Sequence, residues 1–421
     1  MELASVFKLA FFFFLAAKFL VQIGLNIKNS SYIRCHREQV PAKFNDSVEL
    51  AQHQRAADYT IVKSKVGRWN LAFDLVLLLF WLPGGGLAWL DQLVGSFFWP
   101  TPLIHGTLFF LSFALISAII NLPWSLYDTF VIEQRFGFNK TTPKRFMSDL
   151  FKQLILGLLI GGPLLMGLLW IMEKLGRYWW FYAWIFLTLF QLILVWAYPK
   201  FISPLFNKFE ELEEGELKEK VKELLKRCHF SFSGLFVMNA SIRSSHGNAY
   251  FTGLGKNKRI VFFDTLIKTL NPSEVEAILA HELGHFKLNH IKKGLIRSIF
   301  FSLVGFFILG LLANLPSFYV AHWNHPSFYM AIMLFSLITP LYTFFLTPLF
   351  SWISRKYEFE ADRFAAKHAD GQALIHALVK LYKDNASSLT PDPLYSAFYH
   401  SHPPALERVE HLEQCNKENR H

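Results

Sequence analysis

The sequence predicts a mainly α-helical integral membrane protein, in which seven transmembrane helices carry a small α+β domain split into two pieces. Three observations predict it. Aromatic residues make up 17% of the 421, phenylalanine alone counts 45 and only 18% are charged, where soluble chains carry about 25%. Seven windows are apolar enough to cross a bilayer, which takes about 20 residues of helix. The stretches left over, 199–294 and 351–421, have a soluble composition with mixed helix and strand patterning.

The windows fall at residues 3–27, 71–93, 103–122, 154–171, 179–198, 295–315 and 328–350. One window could be a buried core helix, but not all seven. Pro83-Gly84-Gly85-Gly86 interrupts the second. The first lacks a basic leader and a small-x-small cleavage site, so it reads as a retained anchor. Lys8 can snorkel to an interface, whereas Lys18 sits deeper and calls for a protein interior or a wet cavity. Asp74 in the second window calls for the same, unless that window's boundary is shifted. The chain then divides into 1–198 (five spans with loops), 199–294 (first soluble part), 295–350 (two spans) and 351–421 (second soluble part).

Loop charge sets the orientation. Residues 28–68 carry eight Lys or Arg, and Arg135, Lys140, Lys144, Arg145 and Lys152 follow the third window. The connections 94–102 and 316–327 carry none. The positive-inside bias puts the amino terminus outside and both soluble parts in the cytosol. The net charge of +10 therefore reads as topology plus attraction to anionic lipid. No basic patch alternates with stacking aromatics, so no nucleic-acid partner is expected. Cys35, Cys228 and Cys415 form no C-x-x-C and all fall on expected cytosolic segments. They read as reduced, incidental thiols.

In the first soluble part, 213–227 reads as a charged helix, and 234–239, 248–253 and 259–264 as short strands bounded by Gly, Asn and Lys. Next comes a helix whose start is marked by Asn271 as cap, Pro272 at the first position and Glu274 in the first turn. That helix carries His281-Glu282-Leu283-Gly284-His285. Residues four apart share one helix face, so the two imidazoles can hold one Zn²⁺ while Glu282 reaches a water as general base. The pentapeptide alone arises by chance in about a few per cent of such chains. A plain amphipathic helix with packed histidines is the other reading, and it leaves Glu282 unexplained.

A peptidase centre needs a third protein ligand. Residues 355–364 contain neither Gly nor Pro and are good helix formers. Glu358 can ligate there, and Asp362, one turn on, can accept from the far nitrogen of a ligand imidazole. Glu360 points elsewhere and reads as a solvated acid. Asn248-Ala249-Tyr250-Phe251-Thr252-Gly253 is the candidate sheet edge, where an extended peptide could add as a further strand. A core strand fits its pattern equally well.

At this point the chain resembles the type I CAAX prenyl proteases, membrane zinc metallopeptidases. The resemblance runs over nearly the whole chain. It is carried by residues 130–141 (Phe-Val-Ile-Glu-Gln-Arg-Phe-Gly-Phe-Asn-Lys-Thr), by 248–253 and by 281–285. It continues with Ser354-Arg355, Glu358 to Asp362, Tyr399-His400-Ser401-His402-Pro403-Pro404 and Glu407-Arg408. The resemblance implies seven helices enclosing a water-filled chamber, closed by a small zincin-like α+β catalytic domain. It implies one zinc held by His281, His285 and Glu358, with Glu282 as general base and Asn248, Ala249 and Tyr250 on the substrate strand. His402 and Arg408 are the groups expected to meet the scissile carbonyl or the substrate backbone. The implied reaction removes three residues after a prenylated cysteine, with a second upstream cut in some members. The substrate is then a peptide or protein, prenylated or not, met at the lipid bilayer.

The short 316–327 connection and the absence of a dilysine-type ending favour a bacterial inner membrane over the endoplasmic reticulum. Two other readings compete. One is an HtpX-like quality-control protease of damaged membrane proteins, which as a group is shorter with fewer spans. The other is a transporter or scaffold with a structural zinc, which would need four protein ligands and would have no use for Glu282.

Overall fold

A computed structural model describes residues 2–97, 101–252 and 259–419. In chain order the membrane part begins with α1 (Glu2–Cys35), α2 (Leu50–Trp81), α3 (Gly86–Phe97) and α4 (Pro102–Tyr127). It continues with α5 (Pro143–Leu156), α6 (Gly162–Lys174) and α7 (Trp179–Ala197). Six helices, some continued through π turns, are long and apolar enough to span a membrane, and the bent pair α2–α3 makes a seventh when counted as one span. All seven expected windows are therefore helical, but the helices overrun them. At 1.5 Å per residue the 34 residues of α1 reach about 51 Å, against a hydrocarbon core of about 30 Å. The polar ends of α1 and α2 thus stand clear of the apolar zone.

The α2–α3 break bends the chain by 58°, and its glycines are required. Gly85 has φ +76°, and a Cβ on Gly84 would lie 2.7 Å from the Phe80 carbonyl oxygen. The expected third loop is partly helical, because a π turn over Asp128–Glu133 continues α4 into the 130–141 segment.

The part outside the spans is a four-stranded sheet with helices against it. Its strands are β1 (Phe209–Glu211), β2 (Gly234–Met238), β3 (Ala249–Thr252) and β4 (Arg259–Phe263), in the order β1-β2-β4-β3. The β2–β4 pair is parallel and the other two pairs are antiparallel. β3 is an edge strand, with Ala249 opposite Phe262 and Thr252 opposite Arg259; Gly253 of the candidate edge lies outside the described residues. β1 escaped the pattern because Phe-Glu-Glu is short and charged.

Between and after the strands come α8 (Glu216–Arg227), α9 (Asp264–Thr269) and α10 (Pro272–Lys287). The chain returns to the membrane with α11 (His290–Leu312), α12 (Pro316–Ala321) and α13 (Phe328–Thr343). It ends with α14 (Thr347–His368), α15 (Gly371–Asp384), α16 (Pro393–Tyr399) and α17 (Ala405–Glu418). A single 3₁₀ turn, Phe344–Leu346, joins α13 to α14. The last membrane helix therefore runs straight through position 350 into the segment bearing Glu358 and Asp362.

Two apolar cores hold these parts. One gathers Leu224, Phe262, Leu279, Leu374 and Leu412 around the sheet. The other gathers Phe11, Trp81, Phe109, Met172 and Leu334 among the spans. One cavity, about 640 Å³, opens where α4 and α5 face the 206–246 segment and is lined by Asn121, Glu133, Asn139 and His246; another, apolar and about 850 Å³, opens between the spans and is lined by Phe7, Leu309, Phe335 and Tyr342. Lys18, half-buried, and Asp74, exposed, line a third, of about 240 Å³, so only Lys18 is even partly withdrawn into the protein. At the end of the bundle away from the sheet, Asp91 ties three elements together. It accepts from His105 at 2.7 Å, Tyr329 at 2.8 Å and His325 at 2.8 Å.

Candidate metal centre

The helix α10 starts as its sequence dictates. Asn271 Oδ1 accepts from the Glu274 amide at 2.9 Å, and Glu274 accepts from the Asn271 amide at 2.9 Å, a closed capping box behind Pro272. Three turns on, His281 and His285 face α14. Gly284 permits the approach: a Cβ there would stand 3.0 Å from the Ala361 Cα and 3.1 Å from the Phe364 Cβ. With no side chain at 284, α10 and α14 pack backbone to backbone and Glu358 arrives beside both imidazoles.

The three polar tips converge. His281 Nε2 lies 3.2 Å from His285 Nε2 and 3.4 Å from Glu358 Oε2, and His285 Nε2 lies 3.3 Å from Glu358 Oε1. Tetrahedral ligands about 2.1 Å from a zinc sit about 3.4 Å from one another, so the donor set fits that ion. Glu358 is almost fully buried, and its Oε2 has no properly directed hydrogen bond, although His402 Nδ1 approaches to 2.7 Å. A buried carboxylate oxygen in that state suits a metal ligand. Among the described residues, His281, His285 and Glu358 are the one group of this kind.

The surroundings hold those ligands in place. Asp362, fully buried, accepts from His281 Nδ1 at 2.7 Å, which turns the Nε2 lone pair toward the ligand cluster. Arg408, on α17 and also buried, donates to both Asp362 oxygens at 2.9 and 2.5 Å, and its other arm stands 3.7 Å from Glu358. Its guanidinium is thus committed to Asp362. His402 lies in the bend between α16 and α17 with its side chain 64% exposed. Glu282 is half-buried and makes no hydrogen bond or ion pair among the described residues, which leaves its carboxylate to water.

The edge strand presents backbone more than side chains. Asn248 is exposed at the head of β3, where its carbonyl accepts from the Phe263 amide at 2.9 Å. Ala249 is buried in the core against α10, while Tyr250 packs on the opposite face with Met238 and Val261. A peptide laid along β3 would meet main-chain groups and Asn248.

Three residues were not read from the pattern. Glu360 is no mere solvated acid: it accepts from His290 Nε2 at 2.8 Å, and His290 Nδ1 lies 3.0 Å from His285 Nδ1. The sequence signal for His290 was a histidine five positions beyond the motif, just after Asn289. Asn289 adopts φ +61°, a left-handed geometry that Asn tolerates, and the turn swings His290 back against the site. Arg355 donates to the carbonyls of Ser396, Ala397 and His400 at 3.1 Å each, which anchors the bend carrying His402.

A bundle of membrane-spanning helices with an H-E-x-x-H helix, a glutamate facing it from a second helix and an edge strand beside them defines a membrane-embedded metallopeptidase. Comparison with known proteins agrees. Residues 29–208 match the family described as "CAAX prenyl protease N-terminal, five membrane helices", and residues 211–416 match "Peptidase family M48". The chain is 34% identical to a mouse protein named CAAX prenyl protease 1 homolog, over 90% of each chain. It is 34% identical to CAAX prenyl protease 1 of Saccharomyces cerevisiae, over 92% of this chain and 91% of that protein. The crystal structure of S. mikatae Ste24p superposes with a TM-score of 0.91 at 31% identity, covering 97% of this chain and 99% of that one. The chain belongs to the type I CAAX prenyl proteases of peptidase family M48, and its chambered membrane fold is theirs.

Proposed function

We propose that the protein is a zinc endopeptidase, one ion per chain, that removes the three residues following a prenylated cysteine at the end of a peptide or protein. The observation that carries the proposal is the ligand triangle of His281, His285 and Glu358, with edges of 3.2 to 3.4 Å, inside a chain aligned over 90% or more of its length with CAAX prenyl proteases. His281, His285 and Glu358 would hold the zinc, which would supply a Lewis acid for the scissile carbonyl and lower the pKa of a bound water toward about 7. Glu282 takes the water's proton and returns it to the leaving amine. The substrate adds along β3 by main-chain hydrogen bonds, with Asn248 at the strand's head.

His402, exposed beside Glu358, donates to the oxyanion that forms on the scissile carbonyl; losing one such donor typically costs about 3 kcal/mol of barrier. Arg408 acts through Asp362, because both of that carboxylate's oxygens are already bound to it. The domain division follows the same reading, with residues 1–198 and 295–350 forming the chamber and 199–294 and 351–421 the catalytic part. The basic 28–68 and 135–152 segments support a catalytic part on the cytosolic side. The short 316–327 connection favours a bacterial inner membrane.

Hydrolysis of a farnesylated C-a-a-X peptide by detergent-purified protein tests the proposal, beside the same peptide unprenylated. Cleavage confined to the lipidated peptide and abolished in Glu282→Gln is the expected result. Equal cleavage of both peptides would replace it with a general membrane protease.

A further inference from the structure

Resting on the zinc reading, we propose that His290 and Glu360 are positioning residues that orient His285 toward the metal. The two ligand histidines are held in different ways. His281 hands its far nitrogen directly to a buried carboxylate, Asp362. Among the described residues, the far nitrogen of His285 has no carboxylate partner. Its Nε2 lies in the ligand triangle, so its Nδ1 is the far nitrogen, and that atom meets His290 Nδ1 at 3.0 Å.

The protons along this chain follow from valence. A lone pair on His285 Nε2 requires the proton to sit on Nδ1. His290 Nδ1 must then accept, which puts the His290 proton on Nε2. That proton has a waiting acceptor, Glu360 Oε2 at 2.8 Å. Glu360 therefore selects the His290 tautomer, and His290 selects the His285 tautomer that offers its lone pair to the ion. A neutral relay imidazole stands where the other ligand has a carboxylate.

The arm is rigid at its middle and open at its end. His290 is 5% exposed and stacks on Tyr357, with ring centroids 4.1 Å apart and planes 8° apart. Tyr357 precedes Glu358 on α14, so the stack and the His290–Glu360 hydrogen bond join the start of α11 to the helix that supplies the third ligand. The Glu360 side chain, by contrast, is 46% exposed, so replacing it opens no cavity in the core.

Zinc affinity, read by competition with a chromophoric chelator in detergent-purified protein, tests the assignment without turnover. Outer partners of metal-bound histidines are worth roughly 10–100-fold in metal affinity. His290→Phe keeps a ring to stack on Tyr357 and removes the acceptor, and is expected to weaken zinc by about that factor. Glu360→Leu is expected to weaken zinc roughly tenfold, while Glu360→Gln, which keeps a carbonyl acceptor, stays within about threefold of wild type. The unfolding temperature of the zinc-free protein is expected to be unchanged in both Glu360 variants. Equal zinc affinity for wild type, Glu360→Leu and His290→Phe would overturn the proposal, as would a Glu360→Gln loss as large as that of Glu360→Leu. A wild-type protein that binds no zinc would instead overturn the peptidase reading beneath it.

Discussion

Glu282 and Asp362 make opposite predictions at the level of single side chains. Among the described residues Glu282 has no hydrogen-bond or ion-pair partner, so Glu282→Gln is expected to keep its zinc, and peptide hydrolysis to fall by about 10²–10⁴ for the lost proton transfer. Metal analysis beside a turnover assay reads both. Asp362 instead bears on two buried partners, His281 and Arg408. Asp362→Asn turns an anion into an amide beside a buried guanidinium, so zinc affinity drops by about 10–100-fold and the protein unfolds at a lower temperature. Retained zinc and stability in that variant would show that Arg408 has another counter-charge. His281, Glu282 and His285 were legible from the sequence because helical spacing alone puts them within one turn. The Arg408 contact was not, because Arg408 reaches Asp362 across 46 positions and nothing local records that pairing.

At the level of elements, the α10–α14 contact decides whether the centre exists. Gly284→Val would place branched carbons against the Ala361 backbone, an obstacle that no rotamer change removes, since the neighbour at 3.0 Å is a Cα. The helices must part, so zinc and hydrolysis are expected to be lost together while the membrane spans remain folded. Circular dichroism with metal analysis separates those outcomes. At the other end of α10, Asn271→Ala removes half of the capping box and is expected to cost about 1 kcal/mol of stability. The thermal unfolding midpoint drops while turnover at 25 °C stays near wild type. That cap was readable beforehand from Asn-Pro-Ser-Glu. The meaning of Gly284 was not, because inside a pentapeptide motif a glycine looks like an unconstrained position.

For the whole molecule, orientation is the property to test. Cys35 is exposed at the end of α1, whereas Cys228 and Cys415 are buried. A membrane-impermeant maleimide is expected to label Cys35 in inside-out vesicles and to leave right-side-out vesicles unlabelled. The reverse pattern would invert the topology and put the metal centre outside. The same view explains why the catalytic part is written in two pieces. α11 leaves from beside the motif helix, and the return through α13 continues into α14, so the membrane hairpin delivers Glu358 to the ligands it left behind.

Apolar length and helical periodicity determined the seven spans, the motif helix and the helix that carries Glu358, because those signals are local and every residue of a span must satisfy them. Tertiary structure decided the rest: that β3 is an edge, that Arg408 is committed to Asp362, that Arg355 anchors the His402 bend, and that Glu360 serves His285 through His290. Each depends on which groups meet after distant segments pack. A charged residue has the same polarity in the sequence whether it ends in water or against a buried partner, and only the close approach of α10, α14 and α17 distinguishes the two.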